Sequence, residues 1–292
     1  MSKILVTGKN GQLGKSIHKI VNADNNYSSD EFIFVGREEL DLSCEDNISN
    51  YFEKNKFDTV INCAAYTAVD KAEEEEELAN QINHLAIKKL AIIANKQQTK
   101  LIHISTDYIF DGESNQHYLE TDTPNPVNVY GKTKLAGEKV LQALMLTNAI
   151  IIRTSALYSE YNKNFVKTML RLGKEQAELC VVSDQISSPT YASDLACTIL
   201  EIIDNKDYQT KDRLTEIYHY SNKGEVSWYE FSKEIFKLKG INRPVKAIKT
   251  EQYQTPAQRP KNTVMNKDKI TIEFNVKIHN WKSSLITCIS LC

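Results

Sequence analysis

In NVYGKTKLAGE, residues 128–138, Tyr130 stands four positions before Lys134, behind the proline-bearing turn DTPNP. On a helix, positions i and i+4 lie on one face, so a phenol and an ammonium would point into the same space. Such a pair can hand a proton to an alkoxide. A free phenol titrates near ~10, and a neighbouring ammonium favours the phenolate and lowers that value. A surface helix with a solvated lysine has the same spacing, so the pair gains meaning only from what the rest of the chain brings to it.

The rest brings a phosphate loop. VTGKNGQLG sets Gly8, Gly11 and Gly14 between an apolar run and an amphipathic stretch. Glycines so spaced allow a tight turn, close approach of backbone to a pyrophosphate, and packing of helix on strand. The phosphates would sit on the amides of a helix N-terminus, where the dipole favours negative charge. The second apolar run ends in Gly36-Arg37, with no acid at position 36 for a ribose hydroxyl. Arg37 leans the reading toward NADPH, with NADH left open because Glu38 and Glu39 follow at once. Asp41-Leu42 lies where the chain could pass an adenine. In NCAAYTAVDKAE, residues 62–73, the small Ala64 and Ala65 would let backbone run beside a cofactor. Ser105-Thr106-Asp107 ends the next run, and Thr106 offers a hydroxyl where it could polarise a substrate carbonyl.

These residues need elements to hold them. KILVTG (3–8), FIFVGR (32–37), DTVINCAA (58–65), KLIHISTDYIF (100–110) and AIIIRTSALY (149–158) read as buried strands. Helices are expected from Gln12 to about Val21, at 46–55, at 77–97 and from the YGKTK segment onward. Alternation of this kind predicts βαβ units and a parallel sheet covered on both faces. The fold class is therefore α/β, a Rossmann-type doubly wound sheet with a smaller C-terminal α/β substrate-binding domain. Residues 1–153 form the expected dinucleotide domain, rejoined by parts of 178–222, and 154–292 mainly the second domain. In that half, helices are expected at 165–176, 193–204 and 227–240, the last capped by Ser227, and strands at 178–185 and 216–222. The segment 255–266, TPAQRPKNTVMN, reads as an irregular loop. The acidic run at 73–77 reads as the first turn of a helix, where the dipole favours it.

Bulk composition removes other classes. With 36 basic and 38 acidic residues there is no broad basic surface for nucleic acid. The longest apolar runs are far too short to span a bilayer, and the start lacks a signal-peptide plan, so a cytoplasmic enzyme with no membrane partner is expected. The six cysteines carry no zinc spacing and are expected to be free, buried thiols. The six histidines are not at metal spacing either, and His103, inside a strand, is expected to be a satisfied core residue.

Together, TGxxGxxG, STD and YxxxK resemble an extended short-chain dehydrogenase/reductase. GKNGQLG, NCAAYTAVDKAE, STDYIFDG, NPVNVYGKTKLAGE, VVSDQISSPTYASDLA and TPAQRP resemble the dTDP-4-dehydrorhamnose reductase branch, from residue 8 to about 260. The resemblance implies NADPH-dependent reduction of a dTDP-linked 4-keto-6-deoxy-L-hexose to dTDP-L-rhamnose, with Tyr130 as proton donor beside Lys134 and Thr106. It implies cofactor contacts from Gly11, Gln12, Leu13, Asp41, Leu42, Ala64, Ala65, Tyr66, Tyr130 and Lys134, to which the spacing argument above adds Gly8 and Arg37. It implies sugar contacts from Thr106, Asp107, Val69 and Ala156. A homodimer stays open as the assembly. Two positions depart from the pattern: Ala156 stands where the family usually has Trp, and Ser16 where some members have a metal-binding carboxylate, so no metal is expected. Ala156 keeps open a reductase of another dTDP-4-keto-6-deoxyhexose. A non-catalytic NADP-binding regulatory subunit, as in methionine adenosyltransferase, is the reading from a different class. Tyr108 after Asp107 argues against a dehydratase.

Overall fold

The computed structural model describes residues 2–210 and 212–292. The apolar runs of the first half become β1 (Lys3–Thr7), β2 (Glu31–Val35), β3 (Thr59–Asn62), β4 (Lys100–Thr106) and β5 (Ala149–Thr154). Between them run α1 (Gln12–Ala23), α2 (Glu45–Lys54), α3 (Val69–Ala72), α4 (Glu76–Asn80), α5 (Ala86–Gln97) and α6 (Val129–Leu144). The second half adds β6 (Leu157–Tyr158), α7 (Phe165–Glu175), β7 (Leu179–Val182), β8 (Ile186–Ser187), β9 (Thr190–Tyr191), α8 (Ala192–Asp204) and α9 (Lys206–Thr210). Then come β10 (Glu216–Tyr220), β11 (Val226–Ser227), α10 (Trp228–Leu238), β12 (Val245–Ile248), α11 (Asp268–Phe274) and α12 (Trp281–Ser290).

Six strands form one sheet in the order β10-β5-β4-β3-β1-β2, every pair parallel. Alternate residues point to opposite faces of a strand, and both faces here are apolar. Ile4, Val6, Ile150 and Ile152 pack under α1, α8 and α11, while Leu5, Ala149 and Ile151 pack under α2, α5 and α6. The chain leaves β1 for β2 on one side and returns to β3 on the other, so a crevice opens at the carboxyl ends between β1 and β3, where such sheets take their ligands. A third apolar cluster joins α7, α10 and α12 around Phe231, Trp281 and Leu285 beside the small β7–β12 pair. No helix among the described residues is long and apolar enough to cross a membrane.

The sheet elements fall where the periodicity puts them, with informative differences. The expected helix 77–97 is continuous from Glu76 to Gln97, but it contains a π turn at Gln81–Leu85 that the sequence pattern does not announce. The third strand stops at Asn62, and 63–68 leaves the sheet as coil. The fifth stops at Thr154, since Ala156 takes φ +45, a left-handed conformation that no strand carries. Of the acidic run, only Glu76 and Glu77 occupy a first helical turn. Glu73 instead accepts from the Val129 amide at 2.9 Å, and Glu75 from the Tyr66 hydroxyl at 2.6 Å. The cysteines are free, but Cys44, Cys180, Cys197 and Cys292 are exposed rather than buried. Ser227 caps α10 in a reciprocal box with Glu230, as its position in the sequence leads one to expect.

Candidate active site

At the end of β1 the chain turns through Gly8 at φ +71, a conformation L side chains rarely adopt. A Cβ on Gly8 would lie 2.9 Å from the Ala64 amide nitrogen, and one on Gly14 only 2.3 Å from the Gly8 carbonyl oxygen. Both approaches therefore require glycine. Gly11 caps α1 with no side-chain hydrogen bond, and no acid lies in the first turn. The first amides of α1 thus have no side-chain acceptor, which suits a phosphate. Gln12 reaches away from them: its amide donates to Leu157 O, and its oxygen accepts from Ser159 and Asn164. Leu13 is buried in the core.

Beyond β2, Arg37 is exposed and pairs with Asp41 at 3.2 Å. Burial works against ionisation of Asp41, yet hydrogen bonds from Ser43 and the Arg37 guanidinium hold its carboxyl below the usual range. Leu42 is buried beside it. Beyond β3, Ala64 and Ala65 run past the glycine turn, and Tyr66 is fixed by Asn83, which accepts from its amide at 2.9 Å and donates to its carbonyl at 3.0 Å. Asn83 also donates to Thr133, beside Lys134. This asparagine comes from the π turn and was not anticipated. Its one signal is a carboxamide amid the apolar positions of a helix.

Thr106 is the last residue of β4, and its hydroxyl donates to Asp107 at 3.1 Å. Asn128 caps α6 by accepting from the Gly131 amide, so Tyr130 and Lys134 stand one turn apart at the start of that helix. Tyr130 is hydrogen-bonded to Thr106. Lys134 is only 1% exposed; its ammonium donates to the Ile104 carbonyl at 2.6 Å, with His103 Nε2 at 3.3 Å. Burial draws Lys134 down to about 8 against the pull of Glu138, which is itself paired with Arg153. Burial also lifts Asp107 to about 7, against hydrogen bonds from Thr263 and Thr106. Tyr130 runs opposite to the expected lowering by the lysine. Burial pushes its phenol up to about 12, the Thr106 hydrogen bond opposes this, and Lys134 is not among the causes.

One cleft of about 950 Å³ is lined by all sixteen residues expected to contact cofactor or sugar or to carry the proton transfer. Val69 lines it from the start of α3, and Ala156 from the break after β5. Phe165, Gln185, Trp228, Pro260 and Thr263 complete the wall from the second half of the chain. The loop bearing Pro260 is held in place by Arg259, whose guanidinium lies 2.7 Å from Asp70 on α3.

A family model described as RmlD substrate binding domain matches residues 2–292. A dTDP-4-dehydrorhamnose reductase of Aggregatibacter actinomycetemcomitans is 38% identical, over 98% of this chain and 97% of that protein. A crystal structure of a dTDP-4-dehydrorhamnose reductase from Clostridium acetobutylicum superposes with a TM-score of 0.91 at 42% identity, covering 99% of each chain. Another, from Bacillus anthracis in complex with NADP, gives 0.91 at 35% identity over 100% of this chain and 99% of that one.

Proposed function

The chain belongs to the dTDP-4-dehydrorhamnose reductase family, and from that premise we propose that it reduces the 4-keto group of dTDP-4-dehydro-β-L-rhamnose to give dTDP-L-rhamnose, using NADPH. The observation that carries the reading is the meeting of Thr106, Tyr130 and Lys134 in the cleft that has the glycine turn among its walls. The residues present fit the cofactor. Glycines stand where a Cβ would collide, uncapped amides open α1, and Arg37 stands at the rim for a 2′-phosphate. When bound, the nicotinamide supplies two electrons and one hydrogen to the carbonyl carbon.

The protein's part is proton chemistry and positioning. Thr106 donates to the carbonyl oxygen and polarises it. As that oxygen becomes an alkoxide, Tyr130 gives it the phenolic proton. A phenol held at about 12 is fully protonated at neutral pH and is still far more acidic than the alcohol it forms, so the transfer runs downhill. Lys134, one turn along the same helix, holds the nicotinamide ribose and supplies the positive charge on the side of the phenolate left behind. Asp107 and Val69 face the sugar.

Ala156 supports a second reading, a reductase of another dTDP-4-keto-6-deoxyhexose, because a methyl group offers the sugar little apolar surface. The test is oxidation of NADPH and of NADH with dTDP-4-dehydro-β-L-rhamnose, beside Tyr130→Phe. Turnover that falls at least ~100-fold in the variant, with NADPH affinity kept, is expected. Tight NADPH binding with no turnover on any 4-keto sugar would favour the regulatory-subunit reading instead.

A further inference from the structure

Beneath the cleft floor runs a buried polar chain that leads to Lys134 through three residues the reaction above does not use, Thr7, Asn62 and His103. The Ala64 amide donates to Thr7 Oγ1 at 3.2 Å, Thr7 Oγ1 lies 2.6 Å from Asn62 Oδ1, Asn62 Nδ2 lies 3.0 Å from His103 Nδ1, and His103 Nε2 lies 3.3 Å from Lys134 Nζ. Thr7, Asn62, His103 and Lys134 are each at most 1% exposed. Three strands and one helix contribute to it, and it ends on the one lysine of the cleft placed beside Tyr130.

We propose that His103 is a positioning residue for Lys134: a neutral imidazole with its proton on Nδ1, whose Nε2 lone pair accepts from the ammonium and keeps it charged and aimed at the cleft. The inference rests on the role of Lys134 given above. An ammonium has three donors and no acceptor, so a ring nitrogen facing it must be the acceptor. The ring proton then sits on Nδ1 and needs an acceptor in turn, which the Asn62 carboxamide supplies after a half-turn from its placed orientation. The oxygen and nitrogen of a carboxamide are exchanged by that turn. The Ile104 carbonyl takes a second ammonium proton, which leaves the third for the ligand side. Burial and the nearby ammonium both hold His103 well below the usual imidazole range, so the ring stays neutral as an acceptor. Other ionisable groups at this place are Tyr130 and Glu138 on α6, Asp107 after β4, Cys63 after β3, and Arg153 on β5, paired with Glu138. Of these, Glu138 is the charge that pulls on Lys134, and it too favours the charged form.

The experiment is ¹⁵N-histidine and ¹³Cε-lysine NMR of the whole protein from pH 6 to 10, with His103→Leu, His103→Gln and Asn62→Asp. Wild type is expected to show His103 neutral throughout with the proton on Nδ1. Loss of a hydrogen bond to a charged group costs about tenfold or more, so His103→Leu should move the Lys134 titration and the basic limb of kcat/KM down by about one pH unit. Gln, whose oxygen can accept, should restore most of that shift, and Asn62→Asp should move both upward. A proton found on Nε2, or a Lys134 titration unchanged by His103→Leu, would overturn the proposal. The wild-type tautomer decides the matter even if the Leu variant fails to fold. If the reductase reading fails, wild type has no turnover while the NMR still reports on His103.

Discussion

Lys134 and Asp107 are both nearly sealed from water, and burial shifts their ionisation in opposite senses, to about 8 and about 7. The folded value of Lys134 lies below that of the unfolded chain, near ~10.4. The stability it contributes is therefore present above that pH and lost as pH falls through about 8. The folded value of Asp107 lies above its unfolded value, so its contribution is present below ~4 and lost as pH rises through about 7. Between pH 7 and 8 the fold bears both costs in full. Lys134→Met keeps the shape and removes one of them. At pH 7.5 its thermal midpoint should exceed wild type by about 3 °C or more, the gain should fade by about pH 10.5, and turnover should collapse. An unchanged midpoint at pH 7.5 would mean that the buried ammonium carries no such cost. Of these residues, Tyr130, Lys134 and Thr106 were legible from spacing and context, because helix and strand geometry dictates which side chains converge. The ionisation was not legible. Its largest cause is burial, and a sequence names a residue's neighbours along the chain but not the depth at which it will lie.

Among the elements, the main-sheet strands and the helices packed on them could be read because each carries a period that survives packing. The exceptions have local causes. The 77–97 segment has an unbroken helical pattern, yet the chain inserts a π turn at Gln81–Leu85 whose Asn83 is buried against the backbone of Tyr66, a residue of the cleft wall. Nothing in the apolar period foretells an inserted residue. Asn83→Ala strips the Tyr66 amide and carbonyl of their partner, so it should cost about 1–3 kcal/mol. It should also raise the KM for NADPH more than that for the sugar nucleotide if Tyr66 holds the cofactor as proposed. Urea unfolding and steady-state kinetics check the two halves separately, and a KM for NADPH equal to wild type would count against the placement. Helix α11, DKITIEF, is rich in residues that favour strands, and only Ile270 and Phe274, both buried on one face, give it helical logic. Its conformation is decided by the surface it covers.

For the molecule as a whole, the second half of the chain reaches the cleft from more than one side. Gln12 is tied to Ser159 and Asn164, and Asp70 to Arg259, so the glycine turn and the α3 wall are each fastened to segments far along the sequence. The sheet itself is completed the same way. Strand β10, residues Glu216–Tyr220, pairs with β5, and α8 with α11 completes the cover that α1 begins over Ile4, Val6, Ile61, Ile102, Ile150 and Ile152. During synthesis, therefore, β1 to β5 emerge with one face covered by α1 alone and one edge bare; the edge waits for Tyr220, and the face is fully covered only at Phe274, some 120 residues after Thr154. An unpaired edge beside an apolar face invites association with other nascent chains. A fragment ending at residue 154 is expected to aggregate, and adding back residues 155–292 as a separate chain during refolding should rescue its solubility. A monomeric, cooperatively melting 1–154 fragment would contradict this. The dependence also sets a rule for the cell: any slowing of translation between the two halves lengthens the interval in which this chain needs a chaperone.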